Sequence, residues 1–187
     1  MPGPVPGIHV FLYSRSKTWV AGTSPAMTGG IRPAERDEID HLALLWHKGW
    51  QDAHASLAPP GLVRARTLES FRERLAAALD DTRVAAGPAG APLGLCMLKD
   101  DELYQLYVAR AARGSGVAAA LIADGEGRLS ARGVTTAWLA CAVGNDRAAR
   151  FYEKCGWVRA RTTVNRLETH DGVFELEIWR YEKSVQR

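Results

Sequence analysis

Arg113-Gly114-Ser115-Gly116 follows a strand-like run ending at Val108 and leads directly into a helical pattern. Such a junction turns free backbone N–H groups and the positive end of a helix toward one point, and the glycines let the backbone approach a ligand closely. The chemistry this offers is phosphate binding; the plainer alternative is a tight turn that happens to need two glycines. Gly114-Ser115-Gly116-Val117-Ala118-Ala119 also satisfies the dinucleotide pattern G-x-G-x-x-A. Two features weigh against a nicotinamide or flavin cofactor and hence against an oxidoreductase. A spacer, residues 109–113, separates the loop from its strand, and about 20 residues on, where that fingerprint needs an acidic side chain, stand Thr135 and Thr136. The Gly-Lys-Ser or Gly-Lys-Thr of a P-loop does not occur.

Other reactive side chains show no comparable pattern. Cys96 and Cys141 sit among apolar neighbours with no adjacent His or Lys to lower a thiol pKa, Cys155 lies between Lys154 and Gly156, and none of the three has metal-ligand spacing; they read as small core residues in a reducing, cytoplasmic setting. His9, His41, His47, His54 and His170 are scattered, and no metal is expected.

The elements that must position the loop can be read from periodicity. Residues 1–30 are rich in Pro and Gly and read as a poorly ordered tail; residues 14–28 look like translated upstream DNA, with Met27 as an alternative start. Residues 31–33 read as a short strand, and Ile39, Leu42, Ala43, Trp46 and Trp50 then share one helical face up to about His54. Ala58-Pro59-Pro60-Gly61 breaks that helix, and Thr67 is placed to cap a second one bearing Phe71, Leu75, Ala78 and Leu79, so two helices are expected before the main sheet. Residues 82–86, 93–99 and 102–108 form a predicted meander. A helix follows the glycine loop up to Gly133, its internal Gly125 and Gly127 being explained by close packing on the sheet. The apolar run 134–142 reads as the central strand, Asn145 as the cap of a helix through Lys154, and residues 157–165 and 173–181 as a closing hairpin.

At this point the motifs carry a resemblance. Arg113-Gly114-Ser115-Gly116-Val117-Ala118 resembles the R-x-x-G-x-A loop of the GNAT acetyltransferase superfamily. About thirty residues later, Asn145-Asp146-Arg147-Ala148-Ala149-Arg150-Phe151-Tyr152-Glu153-Lys154-Cys155-Gly156-Trp157 is similar to that family's N-x-x-A-x-x-F-Y-x-K-x-G-aromatic segment, with Trp157 where Phe or Tyr is usual. The resemblance implies an α/β (α+β) domain over 31–187. Its sheet would be mixed and largely antiparallel, with six or seven strands, helices on both faces and a V-shaped opening between the strands at Val108 and Val134. It further implies that Leu106, Tyr107 and Val108 hold the pantetheine arm of acetyl-CoA. Arg113, Gly114, Ser115, Gly116, Val117 and Ala118 would take the pyrophosphate, Asn145 and Ala148 would line the far side, and Tyr152 would face the thioester sulfur.

Amine attack on a thioester needs a neutral nitrogen, and an alkylammonium of pKa about 10.4 is only about one part in a thousand neutral at pH 7. A general base is therefore expected. Glu102 opens the strand that ends at Val108, shares a face with Tyr104, Leu106 and Val108 by alternation, and resembles the strand glutamate of several family members; a solvated turn residue is the plain alternative. Tyr152 could protonate the leaving thiolate, and, because the early helices flank that opening in similar enzymes, the resemblance makes Trp46, Trp50, His54 and Tyr104 candidates for the acceptor pocket. The expected reaction is direct acetyl transfer to a primary amine of a small molecule or peptide N-terminus; a non-catalytic coenzyme A-binding protein is the alternative from another class. Antibiotic, polyamine, amino acid and ribosomal-protein acceptors all fit, and a homodimer is compatible with the sequence. A net charge of +3, from 24 basic and 21 acidic residues, is too small and dispersed for a nucleic-acid binder. No run approaches the roughly 18 apolar residues of a membrane span.

Overall fold

The computed structural model describes residues 29–186. The expected tail and the alternative start at Met27 lie outside them, except that Gly29 and Gly30 are hydrogen-bonded to Ala86 at the sheet edge.

Among the described residues seven strands form one sheet in the order β1-β2-β3-β4-β5-β7-β6: β1 (Ile31–Pro33), β2 (Thr82–Ala86), β3 (Pro92–Lys99), β4 (Glu102–Val108), β5 (Thr136–Ala142), β6 (Val158–Thr169) and β7 (Gly172–Ser184). All neighbours are antiparallel except β4 and β5, which run parallel. The α/β class and mixed sheet follow the expectation. The middle strand, however, is β4, and β5 begins at Thr136 because Val134 is still tied to Leu129 at the end of the preceding helix. The hairpin is also longer than its apolar pattern, since backbone pairing continues through polar residues to the turn at 170–171.

Helices cover both faces. Alternation along β3 sends Leu95 and Met97 to one core, with Leu42, Trp46, Phe71 and Leu75, and Cys96 and Leu98 to the other, with Leu121, Leu129 and Trp157. The first core is roofed by α1 (Ile39–His54) and α3 (Leu68–Ala77), whose cap is the Thr67 hydroxyl accepting from Ser70 N–H at 3.2 Å. Between them lies a third helix, α2 (Pro60–Ala65), where a break was expected: Pro60 occupies the first turn, where its missing N–H costs no hydrogen bond. The second core is covered by α4 (Val117–Ala131) and α5 (Asp146–Lys154).

Two glycines set close approaches. A Cβ at Gly49 of α1 would lie 2.6 Å from the Tyr107 ring, and one at Gly61 of α2 would lie 2.5 Å from Phe174, so α1 seats on β4 and the tip of the β6–β7 hairpin folds over α2. Gly125 meets the expectation of close packing, with Cys96 Sγ 3.3 Å from where its Cβ would be. Gly127 does not: a Cβ there would meet nothing within 4 Å, and nothing in the structure explains the glycine.

Candidate active site

The parallel pairing of β4 with β5 is confined to the start of β4, where Glu102 stands opposite Trp138 and Trp138 N–H donates to Asp101 O at 3.2 Å. Beyond that point the strands part. The opening therefore lies between Leu106, Tyr107 and Val108 on one side and Ala140, Cys141 and Ala142 on the other. This corrects the expected position: Val134 lies at the closed end, because parallel strands bring the C-terminal end of β5, not its start, alongside Val108. A cavity of about 420 Å³ follows the opening from the α4 N-terminus to the β6–β7 hairpin.

A bulge decides which side chains of β4 look where. Met97 pairs with Gln105 but Leu98 with Leu103, leaving Tyr104 as an extra residue. Leu103, Leu106 and Val108 consequently pack on the α4 side, while Tyr104 and Tyr107 pack on the α1 side. Alternation from Leu103 puts Glu102 with Tyr104 and Tyr107, and not on the face of Leu106 and Val108 as uninterrupted alternation predicts. Glu102 is only 9% exposed and lines the cavity. Burial pushes its pKa up to about 7; Lys99 and Arg180 pull it down, Asp101 and Asp100 push it up. A carboxyl half-ionised near neutrality is poised to exchange protons.

At the other end of β4, Gly114 and Gly116 have φ of +81° and +89°, the left-handed region that glycine occupies without strain. Gly116 is the residue before α4, whose first turn carries no acidic side chain. A Cβ at Gly114 would meet nothing within 4 Å, so the loop leaves room for a group to approach its backbone. Arg113 extends from this loop and pairs with Asp52 of α1 at 2.9 Å, and Asp52 is held below the usual carboxylate range by Arg113 first, then also by Arg110 and Arg147. Three guanidinium groups around one carboxylate leave net positive charge beside a helix N-terminus, which suits a polyanionic ligand such as coenzyme A. The loop residues differ in what they offer: Val117 is buried in the core and the Ser115 hydroxyl donates to Ala112 O at 2.6 Å, so neither side chain lines the cavity, whereas Arg113, Gly114, Gly116 and Ala118 do.

Asn145 caps α5 by accepting from Ala148 N–H at 3.3 Å, and with Ala148 and Tyr152 it lines the cavity wall opposite β4. Burial raises the Tyr152 pKa, keeping its hydroxyl protonated and able to donate. Burial likewise lifts the Cys96 and Cys141 thiols to about 12, far from the thiolate a nucleophile requires.

Of the expected acceptor-pocket residues, Trp50, His54 and Tyr104 line the cavity. Trp46 does not: it is fully buried behind the wall, with the Arg74 guanidinium 4.4 Å from its ring centre. Arg66 and Leu167, at the ends of or within the segments 46–66 and 165–173 where sequence reasoning puts acceptor specificity, also face the cavity, as do Arg74, Arg147, Leu176 and Ile178, none of which it singles out as a site residue. For the arginines the sequence holds no signal, since each reads as an ordinary solvated charge at a helix end or on a helix surface.

With this geometry in view, comparison with known proteins is specific. The model of the acetyltransferase (GNAT) family matches residues 39–157. Among solved structures, the GCN5-related N-acetyltransferase from Rhodopseudomonas palustris is 23% identical, with 83% of this chain and 94% of that one covered at a TM-score of 0.64. The ribosomal-protein-alanine N-acetyltransferase from Brucella melitensis is 20% identical, covering 82% and 98% at 0.62. Spermidine N-acetyltransferase from Vibrio cholerae, solved in complex with CoA and spermine, is 19% identical, covering 82% and 94% at 0.59. Such distant neighbours establish the fold. No curated protein matches.

Proposed function

Because the chain belongs to the acetyltransferase (GNAT) family, we propose that it transfers an acetyl group from acetyl-CoA directly to a primary amine of a small molecule or peptide N-terminus. The observation that carries this reading is the convergence on one cavity of the Arg113–Gly116 loop, a protonated tyrosine and a buried carboxyl of pKa about 7. Acetyl-CoA supplies the activated acetyl group as a thioester.

The chain's residues divide the remaining work. The N–H groups at the start of α4, with Arg113, take the pyrophosphate. Leu106, Tyr107 and Val108, freed from β5 by the parting of the strands, offer backbone groups to the pantetheine arm, with Asn145 and Ala148 on the opposite wall. Glu102, directly or through water, removes the proton that the amine gives up as its nitrogen bonds to the acetyl carbon. The Tyr152 hydroxyl hands a proton to the sulfur as the carbon–sulfur bond breaks, and both residues re-equilibrate with solvent.

The test is acetyl-CoA-dependent release of free thiol with an amine panel, the acetylated amine being identified by mass. Tyr152→Phe is expected to lower kcat by about a hundredfold, the low end for a positioned proton donor, with KM for acetyl-CoA little changed. Thiol release by no amine, from protein that still binds acetyl-CoA, would favour a non-catalytic coenzyme A-binding protein.

The Arg113–Asp52 pair yields a second expectation. Coenzyme A phosphates must compete with the Asp52 carboxylate for Arg113, so Asp52→Asn is expected to lower the Kd for acetyl-CoA, by about two- to fivefold as befits an exposed pair. A weaker complex in the variant would show that Asp52 assists binding.

A further inference from the structure

The acceptor end of the cavity holds two positive charges for which no described residue supplies a counter-ion. Arg66, just beyond α2, is 7% exposed and lines the cavity. Among the described residues neither Arg66 nor Arg74 has a carboxylate within ion-pair distance. Arg74 lies over the Trp46 and Phe71 rings and donates to the Tyr104 hydroxyl at 2.9 Å. Burying a guanidinium without a partner is costly, and the strain is visible: burial, then the nearby Arg74 charge, bring the Arg66 pKa down to about 10.

Two internal explanations fail. Glu102 shares the cavity, but the charges that act on it are Lys99, Asp101, Arg180 and Asp100, not these two arginines. The phosphates of coenzyme A are served at the opposite end of β4, where Arg110, Arg113 and Arg147 gather around Asp52. Tyr104 sits two residues from Glu102, at the end where the amine must lie.

We propose that the acceptor amine also carries an oxyanion group, foremost a carboxylate, which Arg66 and Arg74 hold while Glu102 faces the amine. The inference rests on the acetyltransferase reading of the site. A guanidinium presents parallel N–H donors that match a carboxylate in bidentate fashion. The Tyr104 hydroxyl, accepting from Arg74, keeps its own proton to donate as well. Trp50, Leu167, Leu176 and Ile178 give the rest of the wall an apolar character, so the acceptor is an amino-acid-like molecule with an apolar body. A polyamine would bring further positive charge to two unneutralised guanidinium groups and is disfavoured.

The experiment measures kcat/KM for thiol release with the protein amino acids, their decarboxylated amines, the corresponding aminoalkylphosphonates and spermidine, in wild type, Arg66→Met and Arg74→Gln. Wild type is expected to prefer an acid over its decarboxylated counterpart by about a hundredfold or more, since the amine leaves buried donors unpaired. In Arg66→Met that ratio collapses toward unity while KM for acetyl-CoA holds, and thermal stability without ligand stays level or rises because an unpaired buried charge is gone. Arg74→Gln, at a less buried position, checks the same ratio if Arg66→Met fails to fold. The phosphonates show which oxyanion fits better. Equal or better turnover of decarboxylated amines or spermidine, or no acid turned over by protein that binds acetyl-CoA, overturns the proposal and leaves the acetyltransferase reading standing. Failure to bind acetyl-CoA at all is instead a failure of that underlying reading.

Discussion

Glu102→Gln is expected to lower kcat/KM at pH 7 by about a hundred- to ten-thousandfold, the range that a positioned general base contributes. The pH profile identifies the cause. In the wild type a group with pKa about 7 must be ionised, so kcat/KM carries an extra unit of slope below pH 7 on top of the rise due to amine deprotonation; the variant keeps only the latter. Stability moves the other way. Because the folded pKa is raised from 4.5 to about 7, the stability linked to this group is complete below pH 4.5 and is lost as the pH rises through 7. At about 1.4 kcal/mol per unit the 2.5-unit difference (7 − 4.5) amounts to on the order of 3 kcal/mol. Glu102→Gln should therefore unfold at higher denaturant than wild type at pH 8 and about equally at pH 4. A variant that loses activity and stability together at pH 8 would mark Glu102 as structural.

Arg113→Glu is expected to raise KM for acetyl-CoA by about a hundredfold or more, since it removes a charge-assisted contact and points a carboxylate at the phosphates. Its pH dependence should stay that of wild type, because Arg113 and Glu102 stand at opposite ends of β4. The variant also leaves Asp52 facing a second carboxylate, so Asp52→Asn in the same chain should recover part of the loss. An unchanged KM would mean that the glycine loop does not take the phosphates.

The features that were legible in the sequence are local ones. Thr67 and Asn145 cap their helices through side-chain contacts three residues away, and the glycines at 114 and 116 mark a backbone that leaves the right-handed regions; spacing alone reveals both. The bulge at Tyr104 was hidden because it is a two-against-one register with β3, which no pattern within β4 records. For the same reason the face of Glu102 was misread beyond Tyr104. The position of the opening depends on β4 and β5 being parallel, a consequence of topology and not of the apolar run 134–142. Arg66 and Arg74 escaped notice because charge at a helix end ordinarily means solvent; only the hairpin tip folding over α2, with Phe174 against Gly61, encloses that region. Resemblance suggests Trp46 for the pocket because the early helices flank the opening in similar enzymes, yet it faces the core and supports Arg74 from behind.

Isothermal titration of the purified protein with acetyl-CoA, beside NADH, asks whether the opening between β4 and β5 receives acetyl-CoA. Saturable binding at micromolar concentration, with NADH silent, is the predicted result. Absence of acetyl-CoA binding, or binding of NADH in its place, would contradict it.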